Sequence, residues 1–186
     1  MAMDREKAYV LWFDELRRAD VALVGGKSSS LGELTSQTDV PVPYGFATTA
    51  AGYRHFMHET GMDVKIPELL KGLTDVEDAV QLRDVTAKIR QAICDAQMPA
   101  DLAEEIRKSY EELGRKVGEA QLCRRSFQCH CRRLARCQLR RPAGHVPQCP
   151  RGRYGHPEVK ECYASTFTDR ATYYRTKQGL TICPLL

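Results

Sequence analysis

Apolar positions near the start of the chain predict two short extended segments. Residues 8–13 form a run of apolar and aromatic side chains that ends at Asp14 and Glu15, which is typical of a strand. Residues 40–47 are punctuated by Pro41 and Pro43, as in a buried turn that leads into a strand. We therefore expect both segments to belong to a sheet.

A helix is predicted directly after the second extended segment. Thr48 or Thr49 can cap its N-terminus with a side-chain oxygen. Beyond them, apolar side chains recur at helical spacing at Tyr53, Phe56 and Met57. We expect these three side chains to be buried.

Three further amphipathic helices are predicted farther along the chain. The first spans about 75–96 and carries its apolar side chains on one stripe. The second begins at Asp101, which is spaced with Glu104 as a capping box. The third covers 158–178. Because helical and strand patterns alternate, we expect a helix-rich α+β fold.

Residues 122–157 have no periodic apolar pattern. This segment holds nine arginines and five of the eight cysteines, but no lysine, aspartate or glutamate. The rest of the chain carries 19 basic and 24 acidic residues, although the whole chain has a formal net charge of +4. A segment of this composition cannot bury a core face, so we expect it to be disordered or irregular.

The length and the N-terminus restrict the class of protein. At 186 residues, the chain can form one domain with a core or part of a larger domain. It has no run of about 18 apolar residues, which excludes a transmembrane helix. Residues 1–7 are charged and lack the apolar centre of a signal peptide. We therefore expect a cytoplasmic protein with no membrane partner.

The candidate site lies between the first strand and the helix that follows it. Gly25 and Gly26 allow a tight turn and a close approach of the backbone to a ligand. Lys27 adds a mobile positive charge that suits phosphate. Ser30 and Glu33 are spaced as a capping box at a helix start, where anions are favoured. On this pattern alone, a phosphate site and an ordinary turn before a helix both remain open.

The loop differs from a Walker A motif. That motif needs a glycine five residues before Gly26, where this chain has Val21. The helix after the loop is predicted to continue to about Gln37.

The order of these features resembles the N-terminus of the phosphoenolpyruvate synthase (pyruvate, water dikinase) family. The segments that carry the resemblance are Y-V-L-W-F at 9–13, V-G-G-K at 24–27, S-L-G-E at 30–33 and V-P-Y-G-F-A-T-T at 42–49. The similarity continues to about residue 118 and resumes at residue 158, with C-Y-A-S-T-F-T-D-R-A at 162–171. The resemblance implies part of an ATP-grasp-like nucleotide-binding domain. It also implies an enzyme that uses ATP, pyruvate and water, with Mg²⁺, to make phosphoenolpyruvate, AMP and phosphate.

The resemblance also implies roles for individual residues. Lys27, with Gly25 and Gly26, is implied to contact the phosphates of ATP, and an ammonium beside backbone N–H donors suits that role. Arg170 matches a family arginine on a helix, which implies that it faces the nucleotide, while a plain ion-pair or surface role for it stays open. We expect no catalytic residue here, because the phosphohistidine domain and the pyruvate-binding barrel are missing. Pyruvate is thus expected to be a partner only of the full-length parent, and the chain alone to be inactive.

The family motif V-R-S-S-A-T-A-E-D-L-P-D-A-S-F-A-G-Q-Q, whose arginine contacts the nucleotide, is absent from 122–157. Back-translation from Cys123, read one base later, restores this motif within permitted codons. A shift at Leu180 likewise turns the tail into F-D-H-L-P-L-A-L. Our hypothesis is that two stretches are frameshifted. It divides the chain into a nucleotide-binding part (1–121), a frameshifted segment (122–157), a helix of the same domain (158–179) and a frameshifted tail (180–186).

An alternative is that the Arg/Cys-rich segment forms a basic module that binds zinc or nucleic acid. Its cysteines and histidines are suitable zinc ligands, but they include no CxxC pair. Its arginines can bind a phosphate backbone electrostatically, but they form no recognisable nucleic-acid-binding module. We therefore expect no metal site and no specific nucleic-acid partner.

Overall fold

The computed structural model describes residues 5–38, 41–117 and 156–179. In chain order the elements are β1 (Val10–Trp12), α1 (Val21–Gln37), β2 (Phe46–Thr48), α2 (Ala50–Glu59), α3 (Met62–Lys71), α4 (Ala79–Asp95), α5 (Ala100–Val117), α6 (His156–Ala164) and α7 (Asp169–Lys177). Three short 3-10 turns occur at Phe13–Glu15, Arg18–Asp20 and Ser165–Phe167. The structure confirms a helix-rich fold with a small sheet. The predicted irregular segment lies outside the described residues as far as residue 155, as does the tail 180–186.

The two predicted extended segments pair as an antiparallel sheet. The opposed residues are Val10 with Thr48, Leu11 with Ala47 and Trp12 with Phe46. On the other edge of β1, the Val10 N–H donates to the Glu105 carboxylate at 3.1 Å and the Trp12 N–H donates to Glu15 at 2.9 Å. Carboxylates thus cover the N–H groups through which a further strand would pair.

The prediction for the helix after β2 is confirmed. Thr49 precedes α2, and its hydroxyl oxygen accepts a hydrogen bond from the Gly52 N–H at 3.1 Å. Tyr53, Phe56 and Met57 are all buried. They enter a main hydrophobic cluster to which β1, α2, α3, α4, α5, α6 and the turn Ser165–Phe167 contribute. A second, smaller cluster lies beneath the start of α1 and consists of Ala8, Leu11, Leu16 and Ala47.

Two of the later helices begin differently from the prediction. α4 begins at Ala79 rather than near residue 75, because the Asp78 carboxylate accepts hydrogen bonds from the N–H groups of the first turn. The predicted capping box of α5 is wrong. Asp101 pairs with His55 at 2.8 Å, and Glu104 pairs with Arg107 at 2.7 Å. α5 begins at Ala100, so Asp101 lies in its first turn rather than at the cap position, and its carboxylate accepts a hydrogen bond from the Leu102 N–H.

The remaining differences concern the number of helices. The predicted helix over 158–178 is two helices, since the backbone is extended at Thr168, whose side chain caps α7. α3 has no counterpart in the prediction. It contains Pro67 in its interior, which ordinarily disfavours a helix, but it buries Met62 and Ile66 one turn apart.

Candidate functional site

α1 is interrupted at the glycine pair that the sequence singles out. Gly25 has φ 78° and ψ 162°, a combination that essentially only glycine adopts. The helix restarts after this residue and ends at Gln37, as predicted. The predicted loop is therefore a break of one residue within a helical segment, rather than a separate loop before it.

The surface around this break is open. Gly25, Gly26 and Lys27 are all exposed. A side-chain carbon built on either glycine would meet no atom within 4 Å. Within the described parts of the chain, the Lys27 ammonium makes no hydrogen bond or ion pair. A ligand can therefore approach the backbone and this cation without displacing a protein side chain.

The backbone before the break is fixed by a buried carboxylate. Asp20 directly precedes α1 and accepts hydrogen bonds from the Arg17 N–H and the Arg5 guanidinium, both at 2.8 Å. Burial alone would raise the pKa of Asp20, but these donors hold it below its usual value. The carboxylate therefore remains charged at neutral pH and anchors the turn Arg18–Asp20.

The helix after the break is anchored to the same turn region. Gly32 packs directly on Leu16, and the Glu33 carboxylate accepts a hydrogen bond from the Arg18 N–H at 3.0 Å. The predicted capping box of Ser30 and Glu33 is therefore wrong. Ser30 lies inside the restarted helix, and Glu33 caps the neighbouring 3-10 turn instead.

Arg170 lies in the first turn of α7. It is exposed and lines a shallow pocket formed by α7 itself, with Tyr173 and Tyr174 among its walls. In the described ranges it has no ion-pair partner, so the structure supplies none for the ion-pair alternative. α1 packs mainly on α2 and the first two 3-10 turns, whereas α7 packs on α4. No hydrogen bond or ion pair between described residues joins Lys27 to Arg170.

Neither a metal site nor a membrane-spanning helix is present in the described residues. No group of three or more His, Cys, Asp or Glu side chains within 5–38, 41–117 and 156–179 could hold a metal ion. None of the helices described is both long enough and apolar enough to cross a membrane. The cysteines and histidines of the zinc alternative lie in the part of the chain that is not described.

Asp20 and Gly32 support the backbone around the break, but neither is predicted from the sequence to do so. Gly32 carried a usable signal, because a glycine inside a predicted helix costs about 1 kcal/mol relative to alanine and so suggests a close approach. Asp20 carried no such signal in the sequence, because the fold of the chain around Leu16 decides that Arg5 and Arg17 donate hydrogen bonds to it.

Comparisons with known proteins identify the family. The sequence profile of the pyruvate phosphate dikinase, AMP/ATP-binding domain matches residues 21–128. A probable phosphoenolpyruvate synthase of Staphylothermus marinus is 41% identical over 182 residues, covering 95% of this chain and 21% of that protein. A probable phosphoenolpyruvate synthase of Methanocaldococcus jannaschii is 37% identical, over 92% of this chain and 14% of that protein. The phosphoenolpyruvate synthase of Synechocystis is also 37% identical, over 94% and 22%.

This chain thus spans between 14% and 22% of the length of these three relatives. The profile match covers more than half of the chain and includes Gly25, Gly26 and Lys27. The chain belongs to the family of the pyruvate phosphate dikinase AMP/ATP-binding domain.

Proposed function

We propose that this chain is the N-terminal, ATP-phosphate-binding part of a phosphoenolpyruvate synthase. The parent enzyme would convert ATP, pyruvate and water to AMP, phosphoenolpyruvate and phosphate. The observation that carries the proposal is the exposed break at Gly25, followed by Lys27, inside the residues that match an ATP-binding domain. The names of the relatives support the choice of reaction.

The chemistry of the break suits a polyphosphate. Gly25 and Gly26 place no side chain between the backbone and an anion. A helical segment that restarts at this point favours negative charge at its beginning. Lys27 adds a full positive charge that is free to move toward a phosphate oxygen. We assign Gly25, Gly26 and Lys27 to the ATP phosphates.

We assign Arg170 to the nucleotide side of the same ATP-grasp-like domain. Its exposed guanidinium and the neighbouring tyrosines of α7 could contact a base or a ribose.

Mg²⁺ is a cofactor of the proposed parent by family resemblance. The described residues offer no group of ligands that fits a metal ion, so no step is assigned to one here. The chain on its own is proposed to bind ATP weakly and not to complete the reaction.

We also propose that residues 122–157 and 180–186 are translated out of frame. Support comes from the family motif that a one-base shift restores within permitted codons. Resequencing of the coding DNA tests this. A clean read that encodes these residues and contains no such alternate frame would overturn the hypothesis.

Titration with ATP tests the proposed function. We expect the full chain to bind ATP, and Lys27→Ala to weaken binding about tenfold or more, because a charge-assisted contact to phosphate is lost. Lys65→Ala is the matched control, since Lys65 is also an exposed lysine, but on α3. Equal affinities of the two variants would contradict the assignment of Lys27. Pyruvate-dependent formation of AMP by the purified chain would contradict its proposed inactivity.

The zinc or nucleic-acid alternative receives no support from the comparisons. Its candidate ligands and arginines lie outside the described residues, and the relatives compared above are phosphoenolpyruvate synthases by name.

A further inference from the structure

We infer that Gly32 and Glu33 are positioning residues, which fix the direction in which the restarted helix presents Lys27. The inference rests on the proposed function, because it concerns the geometry of the same phosphate site. Neither residue is close enough along the helix to contact a phosphate at Lys27. Glu33 follows Lys27 by six residues, which is about 9 Å along a helix axis.

Gly32 sets how close the helix lies to the preceding segment. A side-chain carbon at this position would overlap the Leu16 Cβ and lie 2.8 Å from the Leu16 carbonyl oxygen. Leu16 is fully buried in the small cluster beneath α1, so it has little room to move away. The helix can therefore take this position only with glycine at residue 32.

Glu33 fixes the rotation of the same helix. Its carboxylate accepts the Arg18 N–H at 3.0 Å and so binds the helix to the start of the turn Arg18–Asp20. That turn is itself held by Asp20, which accepts from the Arg17 N–H and from Arg5. Glu33 therefore binds to a turn that is itself held by hydrogen bonds to Asp20.

Together the two contacts close a short loop of backbone. Its first end is Asp20, and its second end is the helix at Gly32 and Glu33. Gly25 lies between these ends, so its unusual φ and ψ are imposed from both sides rather than by its own surroundings, which are open. The direction of Lys27 then depends on contacts that are made six residues later.

Positioning and charge predict opposite effects of changing Glu33. Removal of a negative charge near the site would by itself tighten the binding of an anion. Loss of the anchor would weaken it, because the helix could then present Lys27 in several directions. Glu33→Gln removes the charge but keeps an oxygen that can accept the Arg18 N–H. Glu33→Ala removes both.

The experiment titrates ATP into full-length wild type, Glu33→Ala and Glu33→Gln, with Ser30→Ala as control. Ser30 is exposed on the same helix, and its side chain makes no hydrogen bond to described residues. We expect Glu33→Ala to raise the Kd about tenfold, Ser30→Ala to bind like wild type, and Glu33→Gln to bind as tightly as wild type or slightly tighter, because its anchor is kept and its charge is lost. Gly32→Ala should weaken binding at least as much, measured well below its unfolding temperature. Affinity in Glu33→Ala equal to or tighter than wild type, or equal weakening in Glu33→Gln, would overturn the inference.

A second measurement separates this inference from the proposed function. Amide hydrogen exchange at residues 31–37, whose N–H groups lie inside the restarted helix, is measured without ATP in wild type, Glu33→Ala, Glu33→Gln and Ser30→Ala. We expect at least tenfold faster exchange in Glu33→Ala than in Glu33→Gln or Ser30→Ala. If the wild type binds no ATP, the proposed function is wrong, and hydrogen exchange alone then tests whether Glu33 positions the helix. Equal exchange rates in Glu33→Ala and wild type would overturn the positioning role.

Discussion

The two hydrophobic clusters formed by the described residues differ in size and in what they stabilise. The main cluster contains fourteen buried residues, contributed by β1, α2–α6 and the turn Ser165–Phe167, and includes Phe56, Ile89 and Phe167. The small cluster beneath the candidate site contains four buried residues, of which Leu16 is the only one that is completely buried. Burial of apolar side chains thus stabilises the elements around the main cluster strongly and the Gly25 region only weakly.

The Gly25 region has polar anchors and a glycine contact in place of a large core. The carboxylates of Asp20 and Glu33 accept hydrogen bonds from backbone N–H groups. Gly32, which has no side chain, packs directly on Leu16. Substitutions in the main cluster should therefore lower the stability of the whole fold. Substitutions near Gly25 should change the binding of ATP at a smaller cost in stability.

The largest expected effect is that of Phe167→Ala. Phe167 is fully buried, so its truncation removes apolar contacts and leaves a cavity, which costs about 3–5 kcal/mol of unfolding free energy. Urea unfolding followed by circular dichroism measures this. Tyr174→Ala is the control, because Tyr174 is 60% exposed on the neighbouring helix and should cost less than about 0.5 kcal/mol. Similar losses in the two variants would contradict the assignment of the main core.

A smaller effect on stability is expected at the break. Gly25→Ala forces a side chain into φ 78°, ψ 162°, which should cost about 1–3 kcal/mol and weaken ATP binding. Gly26→Ala is the matched control, since Gly26 has equal free space and no left-handed backbone. It should be neutral or stabilising by up to about 1 kcal/mol. Equal changes of the unfolding free energy in Gly25→Ala and Gly26→Ala would contradict the special role of the backbone conformation at Gly25.

The smallest expected effects concern how stability depends on pH through two carboxylates, those of Asp20 and Asp169. Burial alone would raise the pKa of Asp169, but hydrogen bonds from the Thr86 hydroxyl and the Arg90 guanidinium hold it below its usual value. The pKa of Asp20 is likewise lowered. A lowered pKa contributes stability that is present above the unfolded pKa of about 4 and is lost as the pH falls through the folded pKa.

Urea midpoints between pH 7 and pH 3 measure this dependence in wild type, Asp20→Asn and Asp169→Asn. Each variant should lose less stability than wild type on acidification, since one titrating carboxylate is gone. At pH 7, only Asp20→Asn should weaken ATP binding, because only Asp20 anchors the Gly25 region. An acid response equal to that of wild type in both variants would refute the role of these carboxylates.

Sequence patterns predict the parts of this fold that depend on local spacing. The cap at Thr49 and the buried side of α2 follow from neighbouring residues alone. The division of the last helix at Thr168 does not, because Asp169 is held by Thr86 and Arg90 of α4, about eighty residues earlier in the chain. α3 is missed for a related reason, since burial of Ile66 in the main cluster outweighs the presence of Pro67.

Some features of the candidate site are likewise predictable from the sequence, and others are not. The glycine pair and Lys27 are recognisable in the sequence because a backbone break needs glycine and a phosphate needs a cation. The contacts of Glu33 with Arg18 and of Gly32 with Leu16 are not, because they depend on how the turn Arg18–Asp20 lies against α1. Local rules instead place Glu33 in a capping box with Ser30, which the structure does not contain.

Gly25, Gly26 and Lys27 are proposed to hold the phosphates of ATP, and chemical labelling tests this most directly. An ATP derivative with an acyl group on its terminal phosphate transfers that group to a lysine that lies against the phosphates, and peptide mass spectrometry identifies the lysine. We expect rapid acylation of Lys27, suppressed by excess ATP, and only slow acylation of the exposed Lys65 and Lys71, which ATP does not suppress. Acylation of all three lysines at equal rates, or no protection of Lys27 by ATP, would contradict it.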